Sequence, residues 1–290
     1  MYVGIMLDLH ARNSYYTGSD VRISDVLPAH RFFQANPGVY HDRSYRNFGV
    51  MMRKILLFDI DGTILLTGGA GKRAMNRAFY DLFGIDNALE HVRLSGMTDH
   101  LIYKNACRQN DVPYTDEEHE VFRDTYLVYL REEIDKPHPE KRVLPGVEAL
   151  LERLDGMPQA ELGLLTGNYQ QGAMTKLGHF GLDRYFSFGA YGDDSDDRDQ
   201  LLPFAIKRFE ARNGNASVNS ESVWIIGDTP RDISCARPHG ADVLAVATGN
   251  YSAEQLRSEN PTALLPDLQN TEQVIAVLLG QSVATNKAEK

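Results

Sequence analysis

One stretch constrains the fold of this 290-residue chain more than any other: a short apolar run that ends in two carboxylates. Residues 54–58 read Lys-Ile-Leu-Leu-Phe, too few for a helix, and Asp59, Asp61 and the turn residue Gly62 follow them. A short apolar run closed by a turn predicts a buried strand at the centre of a parallel sheet. In open α/β sheets, ligands bind beyond the carboxyl ends of such strands, which is where the two carboxylates fall.

The spacing of Asp59 and Asp61 limits what the pair can do. Two carboxylates this close repel each other unless a cation lies between them or one of them holds a proton, so the pair indicates a metal site or divided acid and base roles. The alternative is an Asp-rich turn whose side chains cap backbone groups, because Asp-Gly is common in turns. These residues alone leave both interpretations open.

Composition limits the classes of partner. Forty acidic residues against thirty basic ones give a formal charge of −10, which argues against nucleic acid or an anionic membrane as the main partner. Cys107 and Cys235 are the only cysteines and lack metal-ligand spacing, as expected in a reducing cytosol. No apolar run approaches the length of a membrane span, and the amino terminus lacks a signal-peptide pattern. We therefore predict a soluble, cytoplasmic protein, and an anionic substrate would need a local cation.

Residues 1–50 differ from the rest of the chain because they show no sustained strand or helix periodicity. We predict an amino-terminal extension that is disordered in part. The pair Met51-Met52, directly before the first strand, favours a natural start at that point. A short regulatory or oligomerising arm is the alternative, and the sequence leaves it open.

A helical insertion is predicted over residues 70–140, between two parts of an α/β core at residues 51–69 and 141–290. Apolar spacing from Met75 to Phe83 predicts its first helix, and a second begins near Thr98. Thr115 with Glu118 forms the capping-box pattern that starts the third. The Gly-rich residues 68–71 before the insertion lack phosphate-loop spacing and indicate a hinge. An insertion at a strand's carboxyl end is placed to cover whatever binds there.

Beyond the insertion, apolar runs alternate with helical patterns, which predicts a doubly wound parallel sheet. Residues 162–165 lead into Thr166-Gly167-Asn168, and residues 223–226 lead into Gly227-Asp228. If these strand ends neighbour Asp59 in the sheet, carboxylate oxygens and a hydroxyl meet in one crevice. Such a set of hard oxygen ligands suits Mg²⁺, and a carboxylate there could attack phosphorus.

Three ordered motifs carry a family resemblance: residues 59–63 (Asp-Ile-Asp-Gly-Thr), 165–168 (Leu-Thr-Gly-Asn) and 227–232 (Gly-Asp-Thr-Pro-Arg-Asp). In this order they resemble the motifs of the haloacid-dehalogenase-like hydrolase superfamily. The long helical insertion after the first motif resembles the helical cap of the phosphoglycolate-phosphatase-like branch. The resemblance covers residues 53 to about 280.

The resemblance implies a Mg²⁺-dependent phosphatase that hydrolyses a small phosphate monoester, phosphoglycolate-like at the level of the family, through a phospho-aspartate. It implies that Asp59 is the nucleophile and that Asp61 is the general acid and base, with its backbone carbonyl as a further metal ligand. The other implied residues are the phosphoryl-binding hydroxyl of Thr166, the substrate-binding Gly167 and Asn168, the Mg²⁺-binding Asp228, and Asp232 as a supporting acid or water-mediated metal ligand.

The family's active-site lysine has no direct match, because the Lys-Pro-x-Pro context is absent. Arg198, in the segment that leads to Pro203 and a predicted helix, is the best candidate for the catalytic and substrate-binding cation. An arginine keeps the positive charge and binds phosphate through a planar fork. Lys207 is the rival, but it falls inside the predicted helix.

Other readings of the same motifs remain. A sugar-phosphate phosphomutase of the superfamily would use the same residues, whereas a non-catalytic phospho-receiver or binding module would leave Asp61 and the insertion without a role. A dehalogenase is least favoured, because it needs no acid and base at Asp61. Residues 97–100 and 68–72 flank the hinge and could contact the leaving group, or serve only as a helix cap and a turn. We expect a monomer or homodimer.

Overall fold

The computed structural model describes residues 53–214 and 217–280, so the predicted extension at residues 1–50 lies outside the described residues. Its main sheet has six parallel strands in the order β5-β4-β1-β6-β7-β8. These are β1 (Lys54–Phe58), β4 (Ala160–Leu165), β5 (Gly189–Ala190), β6 (Val223–Gly227), β7 (Asp242–Val246) and β8 (Ala263–Leu265). Helices cover both faces, and the predicted doubly wound α/β fold is confirmed.

The central strand β1 supplies both faces of the core. Leu56 and Phe58 pack in one apolar cluster, and Ile55 and Leu57 pack in another, as the alternation of a strand requires. The helices of the core are α4 (Val147–Asp155), α5 (Gln170–His179), α6 (Leu201–Arg212), α7 (Pro230–Ala236), α8 (Ala253–Ser258) and α9 (Thr271–Leu279). Because β1 lies between β4 and β6, the carboxyl ends of these three strands are neighbours.

Three helices occupy the chain between β1 and β4: α1 (Ala70–Phe83), α2 (Asp99–Gln109) and α3 (Asp116–Asp135). Gly84 ends α1 in the left-handed conformation, and the side chains of Thr98 and Thr115 cap α2 and α3 by accepting backbone N–H groups. The three helices share an apolar cluster of their own. The three predicted helices are therefore present where the sequence patterns predicted them.

A small antiparallel pair closes the base of this helical segment. Strand β2 (Leu65–Leu66) pairs with β3 (Arg142–Val143), so the chain leaves and re-enters the core at adjacent points. None of the helices in residues 53–214 and 217–280 combines the length and apolar character needed to cross a membrane.

Two elements next to the site went unpredicted: the two-residue strand β5 and the helix α5. Gly172 stands in the first turn of α5, and Gln170, Gln171 and Thr175 give this helix little apolar periodicity. The helix is held instead by the burial of Ala173 and Leu177 against the core. Tertiary packing thus determines the helical conformation of a segment whose own sequence pattern is weak.

Candidate active site

The carboxyl ends of β4, β1 and β6 open into one cavity of about 310 Å³. Its lining contains seven of the eight residues singled out from the sequence, namely Asp59, Asp61, Thr166, Gly167, Asn168, Arg198 and Asp228. Asp232 is fully buried beneath the cavity floor. Lys207 lies on the exposed side of α6 and is not among the lining residues, so of the two candidate cations only Arg198 lies at this cavity.

Three buried carboxylates form the centre of the site. Asp59, Asp228 and Asp232 each place a carboxylate oxygen within 4.8 Å of the other two. Burial raises the pKa of Asp59 to about 6, against the pull of Arg198, and burial also raises the pKa of Asp228 well above its usual value. When all three are ionised, the single guanidinium of Arg198 does not offset their charge. A hard divalent cation fits such an oxygen set.

The side chain of Asp228 occupies space that is open because residues 62 and 249 are glycines. A Cβ at Gly249 would lie 1.7 Å from Asp228 Oδ2, and a Cβ at Gly62 would lie 2.6 Å from the same oxygen. The positive φ of Gly62, +90°, also suits a residue without a side chain. Thr63 donates to Asp228 Oδ1 at 3.1 Å and fixes its orientation. Gly62 and Thr63 of the Asp-Gly-Thr sequence therefore help to position the carboxylate of Asp228.

Arg198 is the buried cation of this cluster. Its side chain is 2% exposed, its Nη2 lies 3.2 Å from Asp59 Oδ1, and the same nitrogen donates to Asp232. Burial alone would lower the pKa of Arg198, but the carboxylates of Asp232 and Asp59 raise it above its usual range. The guanidinium is therefore permanently charged and holds the position in which a cation beside the predicted nucleophile was expected.

Asp232 has both carboxylate oxygens engaged by the protein. Oδ1 accepts from Arg198, and Oδ2 accepts from the backbone N–H of Thr229 at 3.0 Å and from its hydroxyl at 2.8 Å. The bond from the Thr229 backbone N–H is one half of the capping box at the start of α7. This arrangement favours the supporting role among the two roles that the sequence left open for Asp232, because no oxygen is left without a protein partner.

Asp61 faces the opposite side of the cavity and is 42% exposed. Its Oδ2 accepts from Asn168 Nδ2 at 2.8 Å and from Lys176 Nζ at 2.6 Å. Asn168 also donates to Thr166 Oγ1 at 2.9 Å, and its own Oδ1 accepts from Lys176 at 2.6 Å. A single network therefore orients the carboxylate of Asp61 and the hydroxyl of Thr166.

Lys176 is a residue of this site that the sequence reasoning missed. It lies in α5, is only 5% exposed, and reaches the cavity from the core side. A lysine buried to this extent needs an acceptor, and here it has two. Its helix lacked a clear amphipathic pattern, and the seven residues between Asn168 and Lys176 contain no motif that would link them. The one signal that could have suggested Lys176 is a helix start at Tyr169, because Lys176 then lies on a helix that begins at the site.

The segment before α2 meets the site at Gly167. A Cβ there would lie 2.1 Å from the carbonyl oxygen of Met97, and the Gly167 carbonyl accepts from the backbone N–H of Asp99 at 2.7 Å. Met97 and Asp99 line the cavity, while Thr98 caps α2. Burial raises the pKa of Asp99 to about 7, against the opposing charge of Lys176. The helix cap expected at Thr98 is therefore present, and contact of residues 97–100 with a leaving group stays a prediction.

The structure combines an α/β fold with a buried carboxylate cluster at the carboxyl ends of its central strands and a buried cation beside that cluster. This combination defines a class of hydrolytic site. The sequence model of the haloacid dehalogenase-like hydrolases matches residues 56–246. The chain belongs to this family, and the predicted membership is confirmed.

Relatives with assigned names match about three quarters of this chain. A phosphoglycolate phosphatase from Pseudomonas savastanoi is 22% identical over 224 residues, which are 77% of this chain and 79% of the relative. The crystal structure of a predicted phosphoglycolate phosphatase from Haemophilus somnus is 21% identical, covers 78% of this chain and 99% of that one, and has a TM-score of 0.56. A structure from Thermotoga maritima assigned as a β-phosphoglucomutase is 19% identical over 77% of this chain and 98% of that one, with a TM-score of 0.50. At these identities the two structural likenesses show the fold alone.

Proposed function

We propose that this protein is a Mg²⁺-dependent phosphatase that hydrolyses a small phosphate monoester through a phosphorylated Asp59. The observation that carries the proposal is the convergence of Asp59, Asp61, Asp228 and Arg198 on one cavity. A phosphorylated carboxylate splits the hydrolysis into two displacements, each with a lower barrier than direct attack by water.

Asp59 is the proposed nucleophile. It lies at the end of the central strand, where its backbone N–H donates to the Ile226 carbonyl at 2.9 Å, so its position is fixed by the sheet. One of its oxygens attacks the phosphorus atom while the bond from phosphorus to the ester oxygen breaks. Arg198 beside it and the hydroxyl of Thr166 offer donors to the transferring phosphoryl group, where negative charge accumulates.

Asp61 is the proposed general acid and base. In the first step it gives a proton to the departing alkoxide, and in the second it takes a proton from the water that attacks the phospho-aspartate. Its partial exposure and its place opposite the carboxylate cluster suit exchange of protons with the cavity. Asn168 and Lys176 keep its carboxylate turned toward the leaving-group side.

The residues present fit a Mg²⁺ ion. Five acidic side chains and three basic ones line the cavity, so a phosphate dianion would meet a surplus of negative charge without a cation. Asp59, Asp228 and the backbone carbonyl of Asp61 would hold the ion, with Asp232 supporting them. When bound, Mg²⁺ would offset this charge and polarise the phosphoryl oxygens.

We further propose that residues 70–140 act as a cap on a core of residues 51–69 and 141–290. Residues from both parts line the same cavity, among them Met75 and Tyr126 from the helical segment and Thr166 from the core. A cap in this place would exclude bulk water and restrict the size of the leaving group. The cavity volume agrees with a small-molecule ester as the substrate.

The experiment is a screen of phosphate release from a panel of metabolite esters that includes 2-phosphoglycolate, with Mg²⁺ and with EDTA. We expect release that depends on Mg²⁺ and favours a small ester, as the names of the relatives suggest. Transfer of the phosphoryl group within a sugar phosphate, without phosphate in solution, would instead establish a phosphomutase. Phosphorylated protein that persists for minutes without turnover would indicate a phospho-receiver.

A further inference from the structure

Among the described residues, Lys176 has one N–H donor without an acceptor inside the cavity. Its ammonium group has three N–H donors, of which Asp61 and Asn168 each accept one. The side chain is 5% exposed, so the charge is held in a site that bulk water reaches poorly. A cation in such a place interacts strongly with any anionic group that enters the cavity.

Tyr126 faces the same part of the cavity from the opposite direction. Its side chain comes from α3, is fully buried, and lines the cavity, yet its hydroxyl has no hydrogen-bond partner among residues 53–214 and 217–280. Burial, with the nearby carboxylate of Asp99, keeps the pKa of Tyr126 well above its usual value, so the hydroxyl remains a donor. A buried donor without an acceptor costs free energy that a bound ligand can recover.

Gly71 marks the place where these two donors meet. A Cβ built on Gly71 would lie 3.7 Å from Lys176 Nζ and 3.7 Å from Tyr126 Oη. The first turn of α1 therefore leaves room for an atom that both donors can approach. Lys72 also lines the cavity, but its side chain is exposed, and Arg198 is already engaged by Asp59 and Asp232.

The position of this pair relative to Asp61 identifies what it would bind. A general acid must touch the ester oxygen that leaves, and Lys176 Nζ lies 2.6 Å from the Asp61 carboxylate. Lys176 bonds to Oδ2 of Asp61, and either oxygen of Asp61 can carry the proton, so the ammonium group is within about 5–7 Å of the leaving oxygen. A carboxylate on the first carbon beyond that oxygen can therefore approach Lys176.

Given the proposed phosphatase function, we propose that Lys176 and Tyr126 are its specificity-determining residues and bind a carboxylate carried by the leaving group. The substrate class is then the phosphate esters of short 2-hydroxy acids. Lys176 donates its third N–H to the substrate carboxylate, and Tyr126 gains the acceptor that it lacks.

The test compares two esters of nearly equal size, 2-phosphoglycolate and 2-hydroxyethyl phosphate, which differ in having a carboxylate or a neutral hydroxymethyl group. The measured quantity is the ratio of their kcat/KM values. We expect wild-type protein to favour 2-phosphoglycolate, and Lys176→Met to lower the ratio about 10- to 100-fold, the range for a hydrogen bond to a charged group. Tyr126→Phe should lower it about 5- to 20-fold. Lys207→Met, on the exposed face of α6, should leave the ratio unchanged.

Each alternative has its own result. If Lys176 serves only to orient Asp61, Lys176→Met will slow both esters equally and the ratio will stay constant, which overturns the proposal. An unchanged ratio in Tyr126→Phe would remove Tyr126 from it. If Lys176→Met does not fold, the wild-type protein alone can still reject the proposal. A wild-type ratio near one would show that the carboxylate of 2-phosphoglycolate is not bound. If wild-type protein releases phosphate from neither ester, the proposed phosphatase function itself is contradicted. This outcome differs from an unchanged ratio, which contradicts only the carboxylate-binding role of Lys176 and Tyr126.

Discussion

Arg198 Nη2 lies 3.2 Å from Asp59 Oδ1, and this buried pair joins the short helical turn at residues 198–200 to the end of the central strand. The same nitrogen contacts Asp232, so one guanidinium offsets part of the charge of two carboxylates. Since both side chains of the pair are almost completely buried, loss of the guanidinium would leave two buried carboxylates without a cation, at a large cost. Four of the predictions below depend on this cluster.

Asp59→Asn should abolish phosphatase activity, with a loss of about 1,000-fold or more, because an amide cannot act as the nucleophile. The fold should remain, since the amide is of the same size and carries no buried charge. Phosphate release from a generic aryl phosphate, together with circular dichroism, measures both. The matched variant Asp199→Asn alters an acid that does not line the cavity. A fully active Asp59→Asn protein would refute the assignment of the nucleophile.

Arg198→Met should destabilise the protein by about 3–5 kcal/mol, because it leaves Asp59 and Asp232 buried without their cation. Urea unfolding at pH 7.5 measures the effect. Arg198→Lys keeps the charge and should recover part of the loss. Arg208→Met is the control, because Arg208 pairs with Asp194 at 2.6 Å but is 41% exposed, and its loss should cost about 1 kcal/mol or less. Equal costs for the two Met variants would contradict a buried role for Arg198.

Without metal, the stability of the protein should fall as the pH rises from about 4 to 6. Burial raises the pKa of Asp59 from 3.8 to about 6, so over this interval the folded state keeps a proton that the unfolded state has lost. The free energy of unfolding should drop by up to about 3 kcal/mol from this group. Denaturant unfolding in EDTA measures the slope, and Asp59→Asn should show a shallower one.

Mg²⁺ should raise the melting temperature more at pH 7.5 than at pH 5. Protons and the metal compete for the same carboxylates, because burial favours the protonated forms of Asp59 and Asp228. Thermal unfolding with increasing Mg²⁺ at both pH values measures this. An equal rise at both values would place the bound ion elsewhere.

Glu133→Gln should destabilise the protein by about 1–3 kcal/mol. Glu133 is 2% exposed and accepts from Arg73, Arg77 and Lys136, which lower its pKa to about 2 although burial alone would raise it. The stabilisation is complete above the usual value of 4.5 and should be lost as the pH falls toward 2. Glu132→Gln is the control, because Glu132 is 52% exposed and bonds only to Arg77 among the described residues. Similar costs for both variants would show that burial of Glu133 adds nothing.

Much of the site followed from the sequence because strand ends are easy to locate. Asp59, Thr166 and Asp228 each come directly after an apolar run, and parallel neighbours bring such ends to one edge. The choice of Arg198 followed from its place before α6 in the chain. The sequence could not assign a single role to Asp232, since only the coordinates show that Thr229 and Arg198 occupy its oxygens.

The sequence by itself determined the longer strands of the main sheet, most of the helices and the residues at the centre of the cavity, because each depends on local periodicity or on a short motif. Tertiary structure alone decided the other side of the site. Lys176 lies on a helix with little periodicity, and Tyr126 reads as an ordinary core residue of α3. Their proximity arises from the packing of α3 against α5, two helices separated by more than thirty residues of chain. A local sequence pattern carries no information about a contact between segments that far apart.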